Sequence, residues 1–413
     1  MRTQWTFMVY MAGDNDLSMA VDRDLSEMRR VGSTSSLNLL VEFDRAGPHP
    51  SRRMRLEKDG RNEAGTDLGE IDSGDPETLL EFIKWGVSKF PADYFCLVLW
   101  NHGGGWAPSE VDRLSQESSV PPQEARQLVE RSSRSGSRTF FRTTLKRIFS
   151  LGSPVERAIC ADNASGHSLD TLELGHVLAE ANNFLGRPLD IVGMDACLMG
   201  SIEVAYQLRK LVSVLVTSQD LVPEDGWPYQ PILGRLAMSP DIKPQELASL
   251  ISESFLESYQ IREYPGELTM AAFNLCRLQE LLDPLESLAI DLLARMPAFA
   301  PEIWASQRRS ISFLNQTLWD IQTFGNRLVE TQPVESVVRS VEQIQRALNP
   351  GSSSLVISRA HAGRQAGQCG GLSAYLLPPI KPLSPFYAEL DFARDFHWNT
   401  FLEAYHSAGG QRI

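Results

Sequence analysis

Through the first half of the chain, short and nearly continuous apolar runs alternate with stretches whose apolar residues recur at helical spacing. The runs Trp5–Met11, Leu37–Phe43, Tyr94–Trp100, Leu189–Met194 and Val212–Thr217 predict strands buried on both faces. Between them, Leu17–Arg30, Pro76–Lys89 and Leu172–Phe184 predict helices. Asp75 is placed to cap the second, and Asp170 with Glu173 has the spacing of a capping box. Arg52 to Ile71, centred on Asp59-Gly60, reads as a surface hairpin. After about Tyr264 the pattern lengthens into amphipathic helical runs, Leu278–Met296 and Val334–Leu348, and Gly370–Leu376 then reads as a strand. The expected fold is α/β: a mostly parallel sheet flanked by helices, followed by an α-rich mixed C-terminal region. No internal repeat is present.

One stretch breaks the rhythm. Between Arg126 and Arg147 there are seven basic residues and one acid, with Ser and Gly around them. This reads as an exposed insertion. The expected organisation is therefore a first core half (1–106), the Arg/Ser-rich insertion (107–157), a second core half (158–265) and the C-terminal region (266–413).

Composition narrows the classes. The chain has 413 residues and a formal charge of −13, with 39 Lys and Arg against 52 Asp and Glu. A general basic field for nucleic acid is absent, so no nucleic-acid partner is expected. No apolar stretch is long enough to cross a bilayer, so no membrane partner is expected either. Five cysteines are too few, and odd in number, for a disulfide framework, and reduced thiols are the default. The run after Arg2 reads as a strand rather than a secretion signal, because its basic region is one residue and Asp14-Asn15-Asp16 follows at once. Those three polar residues are expected to cap the first helix, and the expected compartment is the cytoplasm.

Two strands end in unusual sequence. The third runs into Asn101-His102-Gly103-Gly104-Gly105, an imidazole followed by glycines that can turn backbone N–H groups toward a ligand. The fourth runs into Asp195-Ala196-Cys197, with a helix expected over Ile202–Lys210. In open α/β sheets the C-terminal strand edge is where ligands bind. Cys197 would sit in the turn or the first helical residue, where a helix N-terminus lowers a thiol's pKa. His102 could supply the proton that a leaving group needs. Cys96 and Cys276 read as core, and Cys160 and Cys369 have no partner pattern. His167 and His176 lack ligand spacing and read as surface or core residues. The glycine loop alone also suits the oxyanion loop of a serine-hydrolase-like esterase, but no G-x-S-x-G elbow is present. A non-catalytic binding module on the same fold is a further alternative.

The His-Gly-Gly-Gly and Asp-Ala-Cys segments resemble the His and Cys motifs of clostripain-type cysteine peptidases, relatives of caspases, gingipains and legumains. Tyr10–Leu17, Gly226-Trp227-Pro228-Tyr229, Gly371–Tyr375 and Trp398–Leu402 extend the resemblance over nearly the whole chain except the insertion. It implies a caspase-like fold and a cysteine endopeptidase using a dyad. Cys197 would be the nucleophile that forms a thioester acyl-enzyme, and His102 the general acid. The N–H groups of Gly103 and Cys197 would form the oxyanion hole. Asp195 resembles the acid at the floor of the S1 pocket, suited to an arginine side chain and then to lysine. The other role open to it is helix capping. Asp225 is a second acid for that pocket, and Ser218 would line it through its backbone. Partners would be protein or peptide substrates with a basic P1 residue.

Ninety-five positions separate His102 from Cys197, and the insertion accounts for much of that distance. Relatives are commonly cut after a basic residue in this connection. The implied zymogen cleavage sites are Arg126, Arg131, Arg134, Arg138, Arg142 and Arg147, used by the enzyme itself or by an upstream protease. A solvated linker without a regulatory role is the alternative. Some relatives require calcium; here the acids lack EF-hand spacing, and no metal ligand is assigned.

Overall fold

The computed structural model describes residues 2–106 and 159–409, apart from residues 62, 64, 161, 166, 332 and 385. The insertion at 107–157, with all six candidate cleavage sites, lies outside the described residues. The main sheet has nine strands in the order β11-β8-β7-β6-β5-β1-β2-β3-β4. Its parallel centre is β1 (Thr3–Met11), β2 (Leu37–Phe43), β5 (Ala92–Trp100), β6 (Leu189–Asp195) and β7 (Val212–Thr217). These are the five strands expected from the apolar runs. The N-terminal run is β1, hydrogen-bonded to β2 on one side and β5 on the other. The expected hairpin is β3 (Ser51–Arg55) and β4 (Gly65–Gly69), an antiparallel extension at one edge.

Side-chain alternation explains the three layers. On β1 and the residue that follows it, Phe7, Val9 and Met11 enter one apolar layer while Met8, Tyr10 and Ala12 enter the other. The first layer holds α1 (Ser18–Val31), α5 (Tyr229–Met238) and α6 (Pro244–Ile261). The second holds α2 (Pro76–Lys89), α3 (Thr171–Leu185) and α4 (Ile202–Leu208). The expected caps are in place. The Asp75 side chain accepts from the Glu77 N–H, and Asp170 forms a capping box with Glu173.

The C-terminal region continues the main sheet. Its strands β8 (Leu268–Asn274) and β11 (Val356–Ala362) add antiparallel to β7 and complete the main sheet. A second sheet of three short strands follows: β9 (Ser312–Phe313), β10 (Leu318–Asp320) and β12 (Ser373–Tyr375). Helices α7 (Gln279–Ala294), α8 (Ala300–Arg309), α9 (Ile321–Thr331), α10 (Glu335–Ala347), α11 (Asp391–Asp395) and α12 (Trp398–Gly409) surround it. Cys276, expected in the core, is exposed. It lies in the short 3-10 turn Leu275–Arg277 between β8 and α7, where only Leu275 is buried. Among the described residues no helix is long and apolar enough to cross a membrane.

Candidate active site

Strand register brings the two motifs together. Trp100 on β5 is paired with Asp195 on β6, so His102 and Cys197 each stand two residues beyond the same rung. Gly103 then lies on the Cys197 turn. A Cβ there would stand 2.1 Å from the Cys197 carbonyl oxygen and 3.0 Å from its amide nitrogen, an approach only glycine allows. Leu198, next in the chain, has φ 64°, a left-handed conformation unusual for a non-glycine residue. Its N–H donates to the Asp220 carbonyl at 3.1 Å, which fixes the turn.

The helix-dipole expectation for Cys197 is not met. α4 begins at Ile202 and is capped by Ser201, four residues after the cysteine. The intervening chain stays out of the helix because it pairs elsewhere: the Gly200 N–H donates to the Ser218 carbonyl, and the Ser373 N–H donates to the Gly200 carbonyl. The sulfur has a different local donor. The Val222 N–H points at Cys197 Sγ at 3.2 Å, and the thiol in turn lies 3.7 Å from the Val222 carbonyl oxygen, to which it donates. Cys197 is partly exposed, while Cys96, Cys160 and Cys369 are buried and burial pushes all three thiols up. Nothing in the spacing of Val222 marks it as a partner of a cysteine 25 positions earlier.

His102 has a partner the sequence reading assigned elsewhere. Its Nε2 lies 2.7 Å from Asp16 Oδ1. Of the expected cap Asp14-Asn15-Asp16, Asn15 serves the turn into α1, accepting from the Leu17 N–H. Asp16 reaches the imidazole, and Asp14 accepts from the Ala164 N–H across the site edge. Short polar side chains at a strand end serve caps and long-range contacts equally well, so sequence alone could not separate these roles.

Asp195 is 5% exposed and does not cap α4. Its Oδ2 accepts from the Trp227 N–H and from the Tyr229 hydroxyl, each at 3.0 Å. Burial, and then the Asp24 carboxylate, push its carboxyl up to about 7. Asp24 on α1 is itself buried, and its Oδ2 accepts from the Trp100 indole at 2.8 Å. Nothing local in the sequence marks Asp24, since its partner Trp100 and its neighbour Asp195 lie on other elements. Asp225 is more exposed and already matched: Arg23 meets one oxygen at 2.8 Å and Arg262 the other. Ser218 is fully buried, its hydroxyl shared with Thr269 and its carbonyl taken by the Gly200 N–H. Asp225 therefore already meets two arginines and Ser218 is held by buried partners, whereas Asp195 is a buried carboxyl held by two neutral donors.

The C-terminal region holds the cysteine side from behind. Gln219 donates to Asp320 and Ser373 and accepts from the Gly371 N–H. Glu203 on α4 accepts from the Tyr375 N–H and the Tyr387 hydroxyl.

Comparison with known proteins agrees with this arrangement. The Clostripain family model matches residues 9–117 and 150–404, and its break falls inside the basic insertion. Clostripain of Hathewaya histolytica is 28% identical over 262 residues, which span 56% of this chain and 42% of that protein. Among solved structures, an inactive zymogen C11 protease from Parabacteroides distasonis superposes with a TM-score of 0.64 at 20% identity, covering 96% of this chain and 99% of that one. A secreted C11 cysteine protease from Bacteroides thetaiotaomicron, in complex with an irreversible peptide inhibitor, gives 0.62 at 18% identity, covering 99% and 100%. At these identities the two structures establish the fold, and the family model, matched over most of the chain, establishes the lineage. The chain belongs to the clostripain family.

Proposed function

We propose that the chain is a cysteine endopeptidase that cuts after arginine, and less readily after lysine, through His102 and Cys197. The observation that carries this reading is the packing of Gly103 on the Cys197 turn, which sets the imidazole-bearing strand end against the thiol-bearing one. The Cys197 thiolate attacks the scissile carbonyl carbon, and the oxygen takes the negative charge. The N–H groups of Gly103 and Cys197 are the candidate donors to that oxyanion. His102 protonates the leaving amine as the C–N bond breaks, leaving a thioester that water hydrolyses. Nε2 meets Asp16, which makes Asp16 a positioning residue and Nδ1 the candidate donor to the leaving group. Arginine selectivity rests on Asp195, whose buried carboxyl gains most when a guanidinium replaces its lost solvation.

A second part of the reading is activation by cleavage within 107–157, after one of Arg126, Arg131, Arg134, Arg138, Arg142 or Arg147. The interruption of the family match and the zymogen state of the Parabacteroides relative support it. A cytoplasmic location belongs to the same reading, supported by a sparse and odd number of cysteines, and cell fractionation tests it.

Fluorogenic peptides matched except for Arg, Lys or Asp at P1 test the activity, with Cys197→Ala and His102→Ala as controls. Arg is expected to be preferred, and both variants to lose turnover. Preference for Asp would remove the role given to Asp195, and turnover in Cys197→Ala would remove the nucleophile. N-terminal sequencing of wild type and Cys197→Ala tests activation. An uncut and fully active wild type would sink it.

A further inference from the structure

A polar cavity of about 280 Å³ opens where the end of α8, strand β9, helix α9 and the 3-10 turn Ala366–Gln368 meet. It shares no residue with the site around His102 and Cys197. Arg309 in the last turn of α8 and Arg327 on α9 supply its charge, while Ser312, Thr323 and Gln365 supply neutral polar groups. Hydrogen bonds fix its walls. The Glu267 carboxylate accepts from the N–H groups of Arg364, Gln365 and Ala366, which holds the turn. The Ile311 N–H donates to Thr323 Oγ1 at 3.2 Å, which ties β9 to α9. A cavity held in this way is formed before a ligand arrives.

The charges at its rim do not cancel. Arg309 Nη2 meets Glu330 Oε2 at 2.8 Å, and Arg327 Nη1 meets Oε1 at 2.8 Å and Oε2 at 3.0 Å. Two guanidiniums thus share one carboxylate, a local excess of positive charge in a chain whose formal charge is −13. A guanidinium carries five N–H donors in a fixed fork, so both arginines keep donors that Glu330 does not use. The Ser312 hydroxyl and the Gln365 side-chain amide likewise have no hydrogen-bond partner among the described residues. The acid behind this wall does not oppose an anion strongly. Burial pushes the Asp320 carboxyl up, and it already accepts from the Gln219 amide and the N–H groups of Thr323 and Gly370.

We infer that this cavity binds a phosphate group held between Arg309 and Arg327. A tetrahedral dianion presents oxygens in several directions, which suits two guanidinium forks from different helices with a hydroxyl and an amide beside them. A carboxylate offers only two oxygens, and Glu330 already fills that role at the rim. Free phosphate and a phosphorylated residue of a protein carry the same group, and the test separates them.

Full-length wild type and Cys197→Ala are titrated calorimetrically at constant ionic strength with sodium phosphate, with sodium chloride, and with a phosphoserine peptide beside its unphosphorylated twin. Heat and melting temperature are the readouts, so the result is independent of peptidase activity. The expected result is one phosphate per chain with a Kd of about 1 mM or tighter, a raised Tm in phosphate, and no saturable chloride binding. Arg309→Gln and Arg327→Gln should each weaken phosphate by at least about tenfold. Arg308→Gln should leave it unchanged, because Arg308 is turned to the Trp304 ring. Glu330→Gln should tighten it about threefold, because the competing carboxylate is gone. All three rim side chains are partly exposed, so these variants should fold, and melting curves check it. Tighter binding of the phosphopeptide than of phosphate would support the site with a phosphorylated protein as its source, and the reverse would support it with free phosphate. Absence of phosphate heat and of a Tm rise, wild-type affinity in both arginine variants, or unchanged affinity in Glu330→Gln would overturn the assignment.

Discussion

Replacing Gly103 by alanine puts the largest demand on the smallest change. The new methyl would stand 2.1 Å from the Cys197 carbonyl oxygen, 3.0 Å from its nitrogen and 3.1 Å from the Ala196 methyl. Gly103 is not among the glycines with positive φ, so alanine's own backbone is comfortable there and the whole effect is the collision. Ordinary contact requires roughly 3.5 Å between such atoms. Either the His102 strand end or the Cys197 turn must therefore retreat by more than about 1 Å. A shift of that size between reacting groups costs about 10²-fold in rate, and a displaced oxyanion donor costs a similar factor. Overpacking should also remove about 1–3 kcal/mol of stability, which leaves a folded protein with a lowered Tm. The assay is kcat/KM on an Arg-P1 peptide, with thiol titration to count accessible Cys197 and a melting curve to confirm folding. Gly234→Ala is the control: within α5 nothing lies within 4 Å of the added methyl. It should leave activity unchanged and stabilise by about 0.5–1 kcal/mol. A Gly103→Ala protein within about threefold of wild type would refute the reasoning.

Three further outcomes follow from the same geometry. Asp195→Asn should lower kcat/KM for Arg substrates by about 30- to 10³-fold, on the order of 2–4 kcal/mol for a desolvated charge pair, and spare uncharged P1 residues. Because the Asp195 carboxyl is pushed up to about 7, its ionised fraction grows as pH rises through that value. Wild-type kcat/KM for Arg should therefore climb with pH across that window, and a pH–rate series on Asp195→Asn should lack that limb. Asp16→Asn should reduce kcat by about 3- to 10-fold with KM unchanged, since it meets the imidazole and is largely exposed; an altered KM with intact kcat would count against a positioning role. Asp225→Ala should change Arg selectivity by less than about threefold, because its oxygens already face Arg23 and Arg262. A loss equal to that of Asp195→Asn in the same peptide assay would move the S1 acid to Asp225.

The legible parts of the molecule were those whose signals are local. Continuous apolar runs marked β1, β2, β5, β6 and β7 because a strand covered on both faces has few polar positions, and Asp75 and Asp170 marked helix starts because a cap acts within three residues. β11 was not legible: its VISRAHA sequence carries Arg359 and His361, and what makes it a strand is pairing with β8, some ninety residues earlier. The same limit hid the environment of Cys197. A strand followed by helix-forming residues suggests a helix dipole at the thiol, but long-range pairing of Gly200 with Ser218 and Ser373 keeps that chain out of the helix and delays its start to Ile202. Asp14 and Asp16 were read as caps because the fold, rather than the sequence, brings Asp162 and His102 to them.

The central claim is that Cys197, assisted by His102, is the nucleophile. A peptidyl-arginine chloromethyl ketone reacted with the wild-type chain, followed by digestion and tandem mass spectrometry, tests it most directly. The account predicts a single adduct on Cys197, formed far more slowly in His102→Ala and suppressed by an Arg-P1 peptide. An adduct on the exposed Cys276 instead, or continued cleavage with Cys197 unmodified, would contradict it.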